Sequence, residues 1–246
     1  IFSEDVVVDP DDSARYRVAL HGPEVPAVLQ GFGTPSVTPL GVSTLEIDGT
    51  RVEVVRRDQA ATAGYELFLP RDSVVNVWQS IRSRAGIIGV RARTVGWYAF
   101  NAARLEGGTP LFNIDFGPTN LPHETSLIDR RVSFTKGCYP GQEVVARMHH
   151  RGQPKQWLCG FRMSADNLPV AGAQVFATGD EMLASPVGMV TSSAISPLGG
   201  AVPIGLAMLK RKAAVVDSQV RMHVDGTPCE AVIHGLDVLG LSETGS

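Results

Sequence analysis

The chain has 246 residues, room for one large domain or two of ordinary size, with 43% apolar and 19% charged residues as in ordinary globular proteins. A formal charge of −3 excludes a global electrostatic pull toward nucleic acid or membrane, so any anion site must be local. No run approaches the ~18 apolar residues of a membrane span, and three scattered cysteines argue against a disulfide framework or a zinc site. The reducing cytoplasm is the expected compartment, with no membrane contact.

The chain opens Ile-Phe-Ser-Glu-Asp without an initiator Met and runs into Val6-Val7-Val8, a strand-like run that reads as the middle of a domain. Residues 15–20 are β-rich. Residues 45–55 have the form of a hairpin, with Asp48-Gly49 between alternating apolar and polar residues as a type I′ turn. Tyr65–Leu69 reads as a strand ended by Pro70. Two helices follow. The first has Val74, Trp78, Ile81 and Ala85 on one face, Asp72 or Ser73 as N-cap and Gly86 as stop. The second has Val95, Ala99, Ala102 and Leu105 on one face and ends at Gly107-Gly108. Residues 109–125 read as a long connection, and such segments are often functional.

After Trp157 the pattern changes to short strands at 158–163, 174–177, 187–192, 201–207 and 213–216. A final hairpin, 219–224 and 227–233, turns on Asp225-Gly226. This spacing predicts a small β-barrel or sandwich, with a boundary near Gly152–Gln156.

Just before that boundary lies Lys136-Gly137-Cys138-Tyr139-Pro140-Gly141-Gln142-Glu143. Two glycines and a proline predict a shaped turn, on which a thiol can be exposed and an ammonium group can favour its thiolate. The other reading is a tight turn whose cysteine fills a small gap. Cys159 and Cys229 fall in predicted strands and read as packing residues.

The octapeptide continues Val-Val-Ala-Arg-Met-His-His-Arg-Gly through Gly152, and the whole run resembles the signature of the YgfZ-type folate-binding proteins. These form a branch of the aminomethyltransferase (glycine cleavage T-protein) superfamily that supports iron–sulfur enzymes. Gly64-Tyr65-Glu66 with Pro70 and Trp78, Ala103–Leu111, and Val187–Ser192 with Ser196-Pro197 are similar to other stretches of the superfamily. The resemblance implies an α+β fold: an aminomethyltransferase-like folate-binding domain in two lobes, N-terminally incomplete, over 1–153, then a C-terminal antiparallel β-barrel over 154–246. Ligand is expected in a central groove, and an additional N-terminal segment is expected to be absent from this chain.

The resemblance also implies roles for particular side chains. Glu66, otherwise an outward-facing strand residue, becomes a pterin contact, because a carboxylate matches the paired N–H donors on a pterin edge. Arg104, otherwise a cation at a helix C-terminus, becomes a folate-pocket arginine that stacks on or pairs with a flat ligand, with Glu106 orienting it. Tyr139, Gln142 and Arg147 join the cofactor-binding set, and Cys138, with Lys136 and Glu143, forms the catalytic set. Arg147, His149, His150, Arg151 and Lys155 are either a solvated strand-to-linker stretch or a patch for a folate glutamate tail or RNA phosphate. Two adjacent His do not make a metal site, and none is expected.

Three functions follow. The first is a tetrahydrofolate-binding accessory protein for iron–sulfur cluster assembly or repair, with Cys138 essential and iron–sulfur enzymes or assembly proteins as partners. The second is an aminomethyltransferase moving a one-carbon unit to tetrahydrofolate, whose acidic residue the resemblance places in the absent segment. The third is a folate-binding scaffold without turnover.

Overall fold

A computed structural model describes residues 15–180 and 182–241, so the run Val6-Val7-Val8 lies outside the described residues. The chain packs into two compact units that part between Thr94 and Val95. The change of character near residue 154 is therefore the start of the barrel strands within the second unit. Among the described residues no helix is long and apolar enough to cross a membrane.

The first unit is a four-stranded antiparallel sheet with helices against one face. Its strands are β1 (Arg15–His21), β2 (Val42–Ile47), β3 (Thr50–Arg56) and β4 (Gly64–Pro70), in the order β1-β4-β3-β2. The predicted hairpin is β2–β3. Asp48 (φ 51°) and Gly49 (φ 69°) both take the left-handed conformation that a type I′ turn requires. Alternation sends Leu45, Ile47, Val52, Val54, Tyr65, Leu67 and Leu69 into a core shared with helices α1 (Val25–Leu29) and α2 (Val74–Ile87). The opposite face carries the chemistry described below.

Helix α2 corrects two expectations. It runs through Gly86 and ends before Gly89, whose φ of 77° makes it the left-handed terminator. Val77, Ile81 and Ala85 form its buried stripe, whereas Val74 and Trp78 are half-buried. Ser73 makes no side-chain capping bond, and Asp72 sits in a 3₁₀ turn that leads into the helix.

In the second unit helix α3 (Trp97–Glu106) is followed by the short α4 (Ile128–Arg131), then α5 (Gln142–Arg151). The predicted second helix is α3, but Val95 precedes it and Ala99 is exposed. Its buried residues are Asn101, Ala102, Arg104, Leu105 and Glu106. Strands β5 (Gln156–Met163), β6 (Gln174–Ala177), β7 (Gly188–Ser196), β8 (Val202–Lys210), β9 (Gln219–Val224) and β10 (Thr227–His234) close a barrel in the order β10-β5-β8-β7-β6-β9. Residues 213–216, read as a strand, instead form a turn in which the Ala213 and Ala214 amides donate to Lys210 O.

Phe161, Val190, Leu209, Met222, Ala231 and Ile233 belong to one barrel core. Leu158, Ala194, Ile204 and Leu206 instead cluster with Ala102 and Leu105 of α3. Gly205 leaves room for the Phe161 ring, because a Cβ there would lie 2.5 Å from Phe161 Cζ and 2.3 Å from Ser192 O. Gly205→Ala should therefore lower stability by about 1–3 kcal/mol in urea denaturation, the usual cost of overpacking a filled core. An unchanged midpoint would show that ring and strand move aside freely.

Candidate functional site

In the first unit Glu66 lies on β4, facing away from the helices, and is only 4% exposed. It is paired with Ala19 of β1 and Val55 of β3 in register. Arg57 Nη1 donates to its Oε1 at 2.9 Å, and Arg17 Nη1 stands 3.8 Å from Oε2. The carboxylate is thus held in place by two arginines, one half-buried and one largely exposed. Gly64 makes this possible: a Cβ there would meet Arg57 O at 2.3 Å, so only glycine lets the preceding loop return close to the strand. Gly64 N–H donates to Asp58 Oδ1, and Arg57 N–H donates to Gly64 O. Burial pushes the His21 imidazole pKa down, against the opposing pull of Glu66 and Asp58.

Tyr65 points the other way. Its ring is fully buried, its hydroxyl donates to Ser36 O, and Arg56 Nη1 donates to that hydroxyl while the guanidinium lies over the ring. The Gly-Tyr-Glu tripeptide therefore supplies a close approach, a core anchor and a surface-side carboxylate in three successive positions.

In the second unit the octapeptide forms an irregular turn over residues 136–141, after which Gln142 begins α5. Gly141 (φ 84°) is the N-cap, and the Gln142 amide donates to Tyr139 O. Cys138 is exposed, so it does not fill a gap under the turn. Lys136 and Glu143 are exposed too, and the Lys136 ammonium lies 4.7 Å from the centroid of the Tyr139 ring. Tyr139 is half-buried, and its hydroxyl has no partner among the described residues.

The basic run is not a strand-to-linker stretch. Arg147, His149, His150 and Arg151 lie on α5, where the last turn of basic residues complements the helix dipole; Lys155 follows the helix and is exposed. His149 stacks on Phe134 at 4.0 Å between centroids and lies 6.1 Å from His123. Burial lowers the His123 pKa, and the neighbouring His149 adds to the effect.

The second network is built around Arg104. The guanidinium is wholly buried, which leaves no open face for a ligand to stack on. Its Nη1 donates to Asp115 Oδ2 at 2.7 Å and to Thr109 O, and its Nε donates to Asn101 Oδ1. Burial drives the Arg104 pKa down and Asp115 opposes that. Asp115 in turn accepts from the Leu111 amide, from Thr191 Oγ1 and from Ser192 Oγ. A β-bulge between Val190 and Ser192 turns both hydroxyls toward one carboxylate oxygen. Glu106 does not orient Arg104; it accepts from Ser196 Oγ and the Leu198 amide and ties α3 to the end of β7. Asp115 was not singled out from the sequence, because it sits in a Gly-, Pro- and Asn-rich connection with no local sign of burial.

Cys159 and Cys229 are buried, and burial raises the Cys159 pKa to about 11. Iodoacetamide at mildly alkaline pH should thus label the native chain once, at Cys138, and all three thiols after denaturation. Native labelling at Cys159 would contradict the barrel packing.

Two family models match the chain: the GCVT N-terminal domain over residues 2–136 and the glycine cleavage T-protein C-terminal barrel domain over residues 157–237. An aminomethyltransferase of Caldanaerobacter subterraneus subsp. tengcongensis is 26% identical over 221 residues, covering 88% of this chain and 56% of that protein. An aminomethyltransferase of Geobacillus kaustophilus is 27% identical over 233 residues, covering 93% of this chain and 62% of that protein. The crystal structure of the glycine cleavage system aminomethyltransferase T from Bartonella henselae superposes with a TM-score of 0.75 at 23% identity. The match covers 91% of this chain and 59% of that one, and shows a shared fold. The chain spans little more than half the length of these relatives.

Proposed function

Because this chain belongs to the glycine cleavage T-protein family, we propose that it binds tetrahydrofolate and acts in transfer of a one-carbon unit to it. The observation that carries the reading is Glu66, a carboxylate held by Arg57 and Arg17 on the sheet face that carries no helices. Its two oxygens match the adjacent amino and ring N–H donors of a pterin, and the charge strengthens both bonds. Relatives named aminomethyltransferase support an aminomethyl group as the unit transferred.

Calorimetry with tetrahydrofolate tests binding, and no heat at near-millimolar ligand would end the folate reading. Incubation with an aminomethylated lipoyl carrier tests transfer: methylenetetrahydrofolate should form, and its absence under conditions where folate binds would leave a binding protein without this turnover.

The exposed Cys138 favours a second reading, the YgfZ-type accessory role in iron–sulfur cluster assembly or repair. In that role the thiol is the reactive group, with Lys136 before it in the turn, Glu143 in the first turn of α5, and Tyr139, Gln142 and Arg147 contacting the folate. Arg104 is tied to Asp115 within the barrel unit. Cys138→Ser should then fail to restore iron–sulfur enzyme activities in a deletion strain; full restoration would remove the residue and this reading with it.

A further inference from the structure

We propose that Arg57 determines which pterins Glu66 accepts: its guanidinium reads the 4-oxo group next to the N–H pair and disfavours rings that place a donor there. The inference rests on the reading of Glu66 as the pterin contact. It starts from how firmly the backbone of Arg57 is held.

Arg57 lies between two residues that are already engaged. Arg56 donates from Nη1 to the Tyr65 hydroxyl and from Nη2 to Asp58 Oδ2. Asp58 also accepts the Gly64 amide at 2.7 Å. The Arg57 amide donates to Gly64 O at 2.8 Å, and a Cβ at residue 64 would meet Arg57 O at 2.3 Å. Its backbone is therefore clamped to β4 two residues before Glu66. With Asp58 taken by Arg56 and Gly64, the Arg57 side chain turns to Glu66, and Nη1 donates to Oε1 at 2.9 Å.

A guanidinium has five N–H donors, and a carboxylate oxygen has two lone-pair directions. Among the described residues the Arg57 guanidinium makes only this bond, and the side chain is half-buried, so donors remain for a ligand. Arg17, 3.8 Å from Oε2 and largely exposed, is beyond hydrogen-bond reach. Arg57 and Glu66 thus offer donor, acceptor, acceptor in sequence. A 2-amino-4-oxopterin edge carries the complement: the 4-oxo group, then N3–H, then the 2-amino group. N3–H goes to Oε1, the 2-amino group to Oε2, and the 4-oxo group to Arg57, each bond assisted by a charge on the protein.

A reduced 2,4-diamino pterin breaks this match. Its N3 carries no proton, so it pairs with a carboxylate through protonated N1 and the 2-amino group. The neighbour of N1 is then N8–H, which sets donor against donor and cation against cation at Arg57. Glu66 can hold both kinds of ring, whereas Arg57 favours one.

Calorimetry with tetrahydrofolate and its reduced 2,4-diamino analogue, tetrahydroaminopterin, tests this through the ratio of their dissociation constants. A carboxamide can turn its oxygen or its NH₂ to either ligand. Arg57→Gln should therefore shift the ratio toward the diamino ligand by about tenfold, the equivalent of one charge-assisted contact. Arg57→Lys keeps a cationic donor and should keep part of the preference. A ratio in Arg57→Gln within about twofold of wild type would mean that Arg57 only positions Glu66. That result would overturn the proposal while leaving folate binding in place. Failure of both ligands to bind the wild type would remove the Glu66 reading and the role of Arg57 together.

Discussion

Asp115→Ala is expected to destabilise the barrel unit by about 3–5 kcal/mol, the usual cost of removing one partner of a buried ion pair. The carboxylate accepts from Arg104, the Leu111 amide, Thr191 and Ser192, so its loss leaves a fully buried guanidinium without its counter-charge and takes a partner from three further donors, of which Thr191 Oγ1 keeps Leu206 O within reach. Arg104 Nη2 already has no partner among the described residues, and the bonds that remain, Nη1 to Thr109 O and Nε to Asn101 Oδ1, go to neutral acceptors. Asp115→Asn keeps an acceptor oxygen but not the charge and should fall between wild type and alanine. Arg104→Met with Asp115→Leu removes both charges and should recover much of the loss, since apolar replacements of buried pairs are often neutral. Urea denaturation of the four proteins measures these differences. A loss below about 1 kcal/mol in Asp115→Ala would mean that water reaches Arg104 and the pair is not a strut.

This network also explains why motifs far apart in the chain go together. The Ala-x-Arg-x-Glu stretch of α3 and the Val-Thr-Ser-Ser stretch of β7 meet through Asp115, while Glu106 meets Ser196 next to Pro197. Both links attach α3 to the barrel, where Ala102 and Leu105 pack beside Leu158, Ile204 and Leu206. Polar bonds fix the register of the helix, and apolar burial supplies most of the driving force. In this unit the sequence elements that resemble a ligand-binding signature also join α3 to the barrel.

What could be read from the sequence follows the range of the forces involved. The hairpins at Asp48-Gly49 and Asp225-Gly226 were legible, because two consecutive positive φ angles are a local demand met by Asp-Gly. The barrel strands were legible from alternation and turn spacing, whereas the glycines around Cys138 left an exposed thiol and a gap-filling one both open. The extent of α2 was misread because Gly86 lies within the helix, whereas Gly89 takes the left-handed conformation that ends it. Residues 213–216 are apolar without pairing, so composition alone suggested a strand. The burial of Glu66 depends on Arg57, nine residues back, and on Arg17 of another strand. The role of Arg104 depends on Asp115 and, through it, on residues 76 and 77 positions further along the chain. No local pattern encodes such pairings.

Glu66→Gln should weaken tetrahydrofolate binding by about a hundredfold while leaving the fold nearly unchanged. A pterin edge presents two donors side by side, and a carboxylate offers two acceptors to meet them. Glutamine offers one acceptor and turns an NH₂ toward the second donor, so one charge-assisted bond is lost and the other loses its charge. At about 1.5–3 kcal/mol for a bond to a charged group, that amounts to roughly 3 kcal/mol, or two decades in affinity. The fold should tolerate the change, because Arg57 and Arg17 are partly exposed and water can replace the carboxylate around them. Glu66→Asp keeps both acceptors but shortens the reach, and should lose less than glutamine if charge and valence govern recognition. Calorimetry on the three proteins, with urea denaturation as control, separates recognition from folding. An affinity for Glu66→Gln within about threefold of wild type would mean that the pterin is held elsewhere and that Glu66 serves only to pair the arginines on its sheet face.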